Sequence, residues 1–278
     1  MTRIFVHAGF HKTGTKTVQQ FLQQNGPILW PRTALVLPAR LREVTTRLGF
    51  WYQDLPEPEM LDRWQAAMET FLRGLDLAPG KAGKPGRALI ISAENMIGRM
   101  PDGSDPQPYP VAVDLLQRLL RALQVLPQPG EVTLYLSLRP HQQWLRSIHS
   151  HKALKDPGLR DDLDRFCERF GASSITEEAQ RIAAALPETQ VITRDIQTLA
   201  GAPFGIAQPF VDFLDLPPDA LAQLTPPGHV YRSADPALVG QLIALNRSGL
   251  NREALAAARQ RLIHGNELAG TDLSGKPR

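Results

Sequence analysis

The residues best equipped for chemistry lie close to the start of the chain: His11, Lys12, Thr13, Gly14, Thr15, Lys16 and Thr17, with Gly9 just ahead of them. Two lysines, several hydroxyls and two glycines in so short a stretch suit one task, holding an anion. The flanks say how. Ile4, Phe5 and Val6 form a short apolar run of β-formers and predict a buried strand. Val18, Phe21 and Leu22 recur at i, i+3 and i+4, and Asn25, Gly26 and Pro27 supply a stop, so a helix is expected from about Thr15 to Gln24. A glycine-bearing loop between strand and helix points backbone N–H groups and the positive end of the helix dipole at one place, which favours phosphate or sulfate. The bland alternative is a turn that joins strand to helix and binds nothing; two lysines at the helix start favour the anion.

The spelling of the loop separates two chemistries. The nucleoside-triphosphate loop is G-x-x-x-x-G-K-[ST], with lysine directly after the second glycine. Gly9 and Gly14 have that spacing, but Thr15 intervenes before Lys16 and Thr17, and Lys12 precedes the second glycine. Lys12-Thr13-Gly14-Thr15 after a strand resembles the 5′-phosphosulfate loop of sulfotransferases that use 3′-phosphoadenosine 5′-phosphosulfate (PAPS). The wording from Val6 to Thr15 resembles most the bacterial branch acting on carbohydrates and other small hydroxyl acceptors.

Two further sites fit the resemblance. Leu89, Ile90 and Ile91 predict a strand buried on both faces, and Ser92, Glu94 and Asn95 would lie beyond its carboxyl end, where open α/β sheets bind ligands. A carboxylate there could accept the proton of an attacking hydroxyl; otherwise Glu94 caps the next segment or pairs with a loop lysine. Related carbohydrate sulfotransferases carry a glutamate base at this place, which supports Glu94 in the role. The strand predicted over 131–138 runs into Arg139, and Ser147 follows on the next helix. An arginine fork and a hydroxyl are sensible anion donors, and the resemblance implies that this pair binds the 3′-phosphate. Basic and polar residues continue that helix to Lys155, as in the family.

The implied activity is transfer of a sulfuryl group from PAPS to an acceptor hydroxyl or amine, leaving 3′-phosphoadenosine 5′-phosphate (PAP). Lys12 would stabilise the leaving oxygen, Thr15, Lys16 and Thr17 would orient the phosphosulfate, and Glu94 would act as general base. Lysines supply the positive charge, so no metal is expected; His149 and His151, two apart, would point to different helix faces. The acceptor is a small molecule, carbohydrate or lipid. Two other readings stay open: a P-loop kinase or nucleoside triphosphatase using ATP and Mg²⁺, and a non-catalytic module that binds PAPS or PAP.

These sites need a frame. Apolar runs at 4–6, 34–37, 89–91, 131–138 and 190–195 alternate with amphipathic stretches at 54–77, 112–126, 161–170, 176–186 and 209–214, then final helices. The expected fold is α/β, a P-loop-type three-layer α/β/α arrangement with a central, mostly parallel sheet. At 278 residues the chain is expected to be a single sulfotransferase-like domain, 1–278, with a loose tail over 268–278. Residues 79–86 are expected as a surface linker, 101–110 as a loop near the site, and Asp195 as architecture. Arg232 and Ser233, in the place where family members close a basic loop over the cofactor, match too loosely to be more than a solvated loop. The formal charge of +3 suits an anionic ligand without marking a nucleic-acid binder. No apolar run approaches the ~18 residues of a membrane span. The single cysteine, Cys167, precludes an internal disulfide and is expected in the core; with a start directly at the first strand, a cytoplasmic setting is expected.

Overall fold

The structure is a computed structural model in which residues 1–77, 87–171, 173–228 and 234–268 are described. The expected linker at 79–86, Arg232 and Ser233, and the tail beyond Leu268 lie outside these residues. In chain order the main elements are β1 (Thr2–His7), α1 (Thr15–Gln24), β2 (Thr33–Val36), α2 (Pro58–Arg73), β3 (Ala88–Ser92), α3 (Ala112–Ala122), β4 (Pro129–Leu138), α4 (His141–Lys155), α5 (Leu163–Phe170), α6 (Ile175–Ala185), β5 (Gln190–Asp195), α7 (Gln208–Leu214), α8 (Pro236–Arg247) and α9 (Arg252–Leu268).

The strands form one sheet in the order β2-β3-β1-β4-β5. Every pairing is parallel, where the sequence predicts a mostly parallel sheet. A parallel sheet is covered on both faces, and the side chains divide by the two-residue period of a strand. Ile4, Val6, Leu89, Ile91, Leu134 and Leu136 enter the larger core, with α2, α3, α4, α5, α6 and α8. Phe5, Ile90 and Tyr135 enter a smaller core on the opposite face, with α1 and α7. Helices on both faces make three layers. Among the described residues no helix is long and apolar enough to cross a membrane.

The topology fixes where a ligand would go. From β1 the chain leaves toward β2, on one side; from β4 it leaves toward β5, on the other. β1 and β4 are neighbours, so a crevice opens outside their carboxyl ends, at the point where strand order reverses. The loop after β1 and Arg139 after β4 both begin there.

Two differences from the sequence expectation bear on this crevice. The helix predicted over 54–77 is shorter, because Pro58 opens it, and residues 38–54 ahead of it are also helical. That helical arm brings Thr46 and Gln53 against the segment after β3. Cys167 is half-buried and packs on the larger core, and burial pushes its thiol pKa up.

A single asparagine ties α1 to the distant chain. Asn25 Nδ2 donates to the carbonyls of Phe21 and Thr225, both at 3.0 Å, and Oδ1 accepts the Thr225 N–H at 2.8 Å. Asn25 is buried, so alanine would leave backbone groups without partners. Asn25→Ala is therefore expected to lower the unfolding free energy by about 1–3 kcal/mol, measured as a fall in the urea midpoint at unchanged slope.

Candidate active site

The loop leaves β1 at Ala8 and must reverse before α1 begins at Thr15. Two residues take left-handed backbone: Lys12 at φ 68° and Gly14 at φ 89°. The second costs a glycine little; the first costs a lysine roughly 1–2 kcal/mol. Gly14 also faces Ile206, whose Cδ1 would lie 2.7 Å from an added Cβ. Gly9 is needed for a different reason. A Cβ there would meet His7 Nε2 at 2.3 Å and Ser137 Oγ at 2.8 Å, so the backbone lies directly on those two side chains. No side chain caps α1, so the N–H groups of its first turn stay directed at the loop.

Three neighbouring elements hold the loop. Trp144 of α4 donates its indole N–H to the His11 carbonyl at 3.0 Å, and Arg139 Nη1 donates to the Lys12 carbonyl at 3.2 Å. Tyr109, from the 101–110 loop, accepts the His11 backbone N–H at 3.0 Å and lies parallel to the His11 ring. Asn95 Nδ2 donates to Thr46 Oγ1 at 3.0 Å, which leaves Oδ1 to accept from His11 Nε2 at 3.0 Å. His11 Nδ1 then accepts from the Tyr109 hydroxyl at 3.2 Å. Burial, opposed by Glu94, pulls the His11 pKa down, in keeping with a neutral ring. Below the loop, Thr13 Oγ1 donates to the Phe10 carbonyl and contacts Ser137 Oγ, both at 2.6 Å. Ser137 Oγ lies 3.2 Å from His7 Nε2, and His7 Nδ1 lies 2.9 Å from Ser92 Oγ.

The remaining side chains face the crevice. Thr15 is buried and its hydroxyl has no hydrogen-bond partner. Lys12 is half-buried; burial, then the charges of Lys16 and Arg139, pull its pKa down to about 8 against the pull of Glu94. Arg139 is also lowered by burial and supported by Asp195, and its Nε is buried without a partner. Lys16 is exposed and Thr17 half-buried. Glu94 opens a short 3₁₀ turn, Glu94–Ile97, and its Oε2 accepts from Gln19 Nε2 at 3.1 Å; the same amide reaches the Ser92 carbonyl at 3.3 Å. Glu94 thus starts the next segment, with a glutamine rather than a lysine as its hydrogen-bonded partner.

The structure therefore gathers Lys12, Thr15, Lys16, Glu94 and Arg139 around one crevice, but gives His11 and Thr13 another part. Their polar groups are spent inside the protein, where they shape the loop. Ser147 is buried on α4, and among the described residues its hydroxyl has no hydrogen bond, to Arg139 or otherwise. One turn on, His151 stands in the field of Lys12, Lys16, Lys155 and His11, and with burial this lowers its pKa to about 4. His149 turns away to the Asp161 carbonyl at 2.9 Å, as the two-residue spacing predicts. Asp195, read from sequence as architecture, is the carboxylate whose charge supports Arg139.

Sequence reasoning missed Gln19, Tyr109, Trp144 and His151. Only His151, in a basic helix beside the expected site, carried a signal in the sequence. Comparison of the chain with protein-family models and with curated proteins finds no match.

His7 has the most one-sided environment here. Burial lowers its pKa from the ordinary 6.5 to about 3. The folded protein thus binds this proton more weakly than the unfolded chain. The contribution of neutral His7 to stability is complete above about pH 6.5 and is lost as pH falls toward 3. Unfolding free energy, followed by urea denaturation at stepped pH, is expected to fall across that window, and the fall should be shallower in His7→Gln.

Proposed function

We propose that this chain is a PAPS-dependent sulfotransferase of P-loop type, and that the crevice outside β1 and β4 binds the phosphosulfate. The observation that carries the reading is the pairing of an unpartnered buried hydroxyl, Thr15, with half-buried cations, Lys12 and Arg139, at a helix start that no side chain caps. An anion would satisfy the hydroxyl, the uncapped N–H groups and the crowded positive charge together. The order of lysine and glycine in the loop favours a phosphosulfate over a nucleoside triphosphate, as does Arg139 at the end of the neighbouring strand.

Bound PAPS would supply an activated sulfuryl group, and the protein's work is positioning and charge. Thr15, Lys16, Thr17 and the backbone of Thr13 and Gly14 would hold the phosphosulfate; Arg139 and Ser147 would hold the 3′-phosphate. Lys12 would offset the negative charge that grows on the departing phosphate oxygen. Glu94 would take the acceptor proton on Oε1 while Gln19 keeps Oε2. The acceptor, a hydroxyl or amine of a small molecule, carbohydrate or lipid, would enter beside Glu94. One cysteine in the chain fits a cytoplasmic enzyme.

Calorimetric titration with PAP tests the site. PAP is expected to bind and ATP with Mg²⁺ to bind more weakly, while Arg139→Ala should weaken PAP by roughly 10–100-fold, the worth of charge-assisted hydrogen bonds of about 1.5–3 kcal/mol. Preference for ATP with Mg²⁺ would turn the reading to a kinase, and binding of neither would end it. Protonated Lys12 is the binding form, so PAP affinity should be level between about pH 7 and 8, where the PAP phosphates are fully ionised, and fall toward tenfold per unit above that; Lys12→Met should remove that fall. With an acceptor in hand, Glu94→Gln should cut PAPS-dependent sulfation by roughly 10²–10⁴-fold at unchanged PAP affinity. Equal PAP affinity and undiminished turnover would remove Glu94 from the role of base.

A further inference from the structure

We propose that His7 is the positioning residue of the anion loop, holding it in its binding shape through Ser137 and Thr13. The inference rests on reading the loop as an anion site, and it gives a task to a polar residue buried at the end of an apolar strand. His7 is 1% exposed, Ser92 0%, Ser137 2% and Thr13 1%, so their hydrogen bonds have no competition from water.

The directions of these bonds follow from one fixed point. Thr13 spends its hydroxyl proton on the Phe10 carbonyl, which can only accept. Thr13 Oγ1 must then accept from Ser137, whose proton is thereby used. Ser137 Oγ must in turn accept from His7 Nε2, so the imidazole carries its proton on Nε2. Nδ1 is left as an acceptor for the Ser92 hydroxyl. Each group is used once and all bonds point one way, from β3 through β1 and β4 into the loop. A proton on Nδ1 in place of Nε2 would break the sequence at both ring nitrogens.

The two nitrogens do different work. Nδ1 bonds strand to strand: His7 and Ser92 are register partners on β1 and β3. Nε2 bonds strand to loop, through Ser137 and then Thr13. Thr13 is the residue between Lys12 and Gly14, the two left-handed positions of the turn. Fixing its side chain fixes the turn that aims Lys12 on one side and Thr15 on the other. The ring serves as a floor as well, since Gly9 lies against Nε2 and its neighbouring carbon. Tyr135 stacks on the ring at 5.1 Å, and Phe210 meets it edge-on at 5.1 Å, so it cannot swing aside.

Amide side chains separate the two nitrogens. Glutamine places its amide nitrogen near the position of Nε2, whereas asparagine reaches only the position of Nδ1. His7→Gln is expected to keep PAP affinity within about threefold of wild type, and His7→Asn to lose tenfold or more, near the worth of one buried hydrogen bond. Ser137→Ala should follow His7→Asn, and Ser92→Ala should follow His7→Gln. Hydrogen exchange of the amides at 13–17 gives a readout that needs no ligand, with faster exchange in His7→Asn and Ser137→Ala only. Thermal melts identify any variant that fails to fold; the serine pair decides the matter if the His7→Asn chain does. Equal exchange and equal affinity in the two members of either folded pair would overturn the role of His7. If wild type binds no PAP while the exchange rates divide as expected, the positioning role stands and the proposed function falls.

Discussion

The site depends on one constraint: residues 8–14 must carry the chain from a central strand into a helix while lying flat on the sheet's polar crown. That path tolerates no Cβ at Gly9 and requires left-handed backbone at Lys12 and Gly14. A loop with such demands would be mobile in isolation. Here its carbonyls and N–H groups are gripped by Trp144, Arg139 and Tyr109, which arrive from two separate parts of the chain, the β4–α4 junction and the 101–110 loop. The ordering entropy of the loop is met during folding, so a ligand of the proposed kind would not meet it again.

The second theme is repulsion held in place. Lys12, Lys16, Arg139, Lys155 and His151 share a small region, and the pKa values of Lys12 and His151 are lowered first by burial and then by their cationic neighbours. Nothing about folding asks for this arrangement. Glu94 and Asp195 offset only part of it, the first held by Gln19 and the second by the chain turn after β5, where it accepts the Gln197 N–H at 2.8 Å. Charge gathered in this way makes the crevice a candidate functional site.

What the sequence made legible follows the reach of local signals. The apolar runs at 4–6 and 89–91 mark strands by composition, and the loop is spelled out in adjacent letters. Glu94 was singled out because strand ends point at ligands and because of the family resemblance, and Arg139 because the resemblance implies an arginine at the end of that strand. Partnerships across long separations were not legible: Tyr109 with His11, Trp144 with His11, and Gln19 with Glu94 come from register and layer packing. The helical arm at 38–54 was missed because Val44, Thr45 and Thr46 are weak helix formers that interrupt it, although Leu41, Val44, Leu48 and Tyr52 fall at helical spacing and pack on the core. Thr13 and His11 carry the residue types of ligands, yet burial spends their polar groups on the protein itself.

The sheet order has a consequence for synthesis. β1 leaves the ribosome first, yet its two neighbours come much later: Ile4 lies opposite Leu89, and Val6 opposite Leu134. At roughly 5–20 residues per second, the interval before β4 exists is on the order of ten seconds. Ile4, Phe5 and Val6 have both strand edges bare until β3 exists and one edge still bare until β4 does, and parallel pairing between distant segments is slow to form. The central strand is therefore a segment that chaperones grasping short apolar stretches would meet before its partners exist.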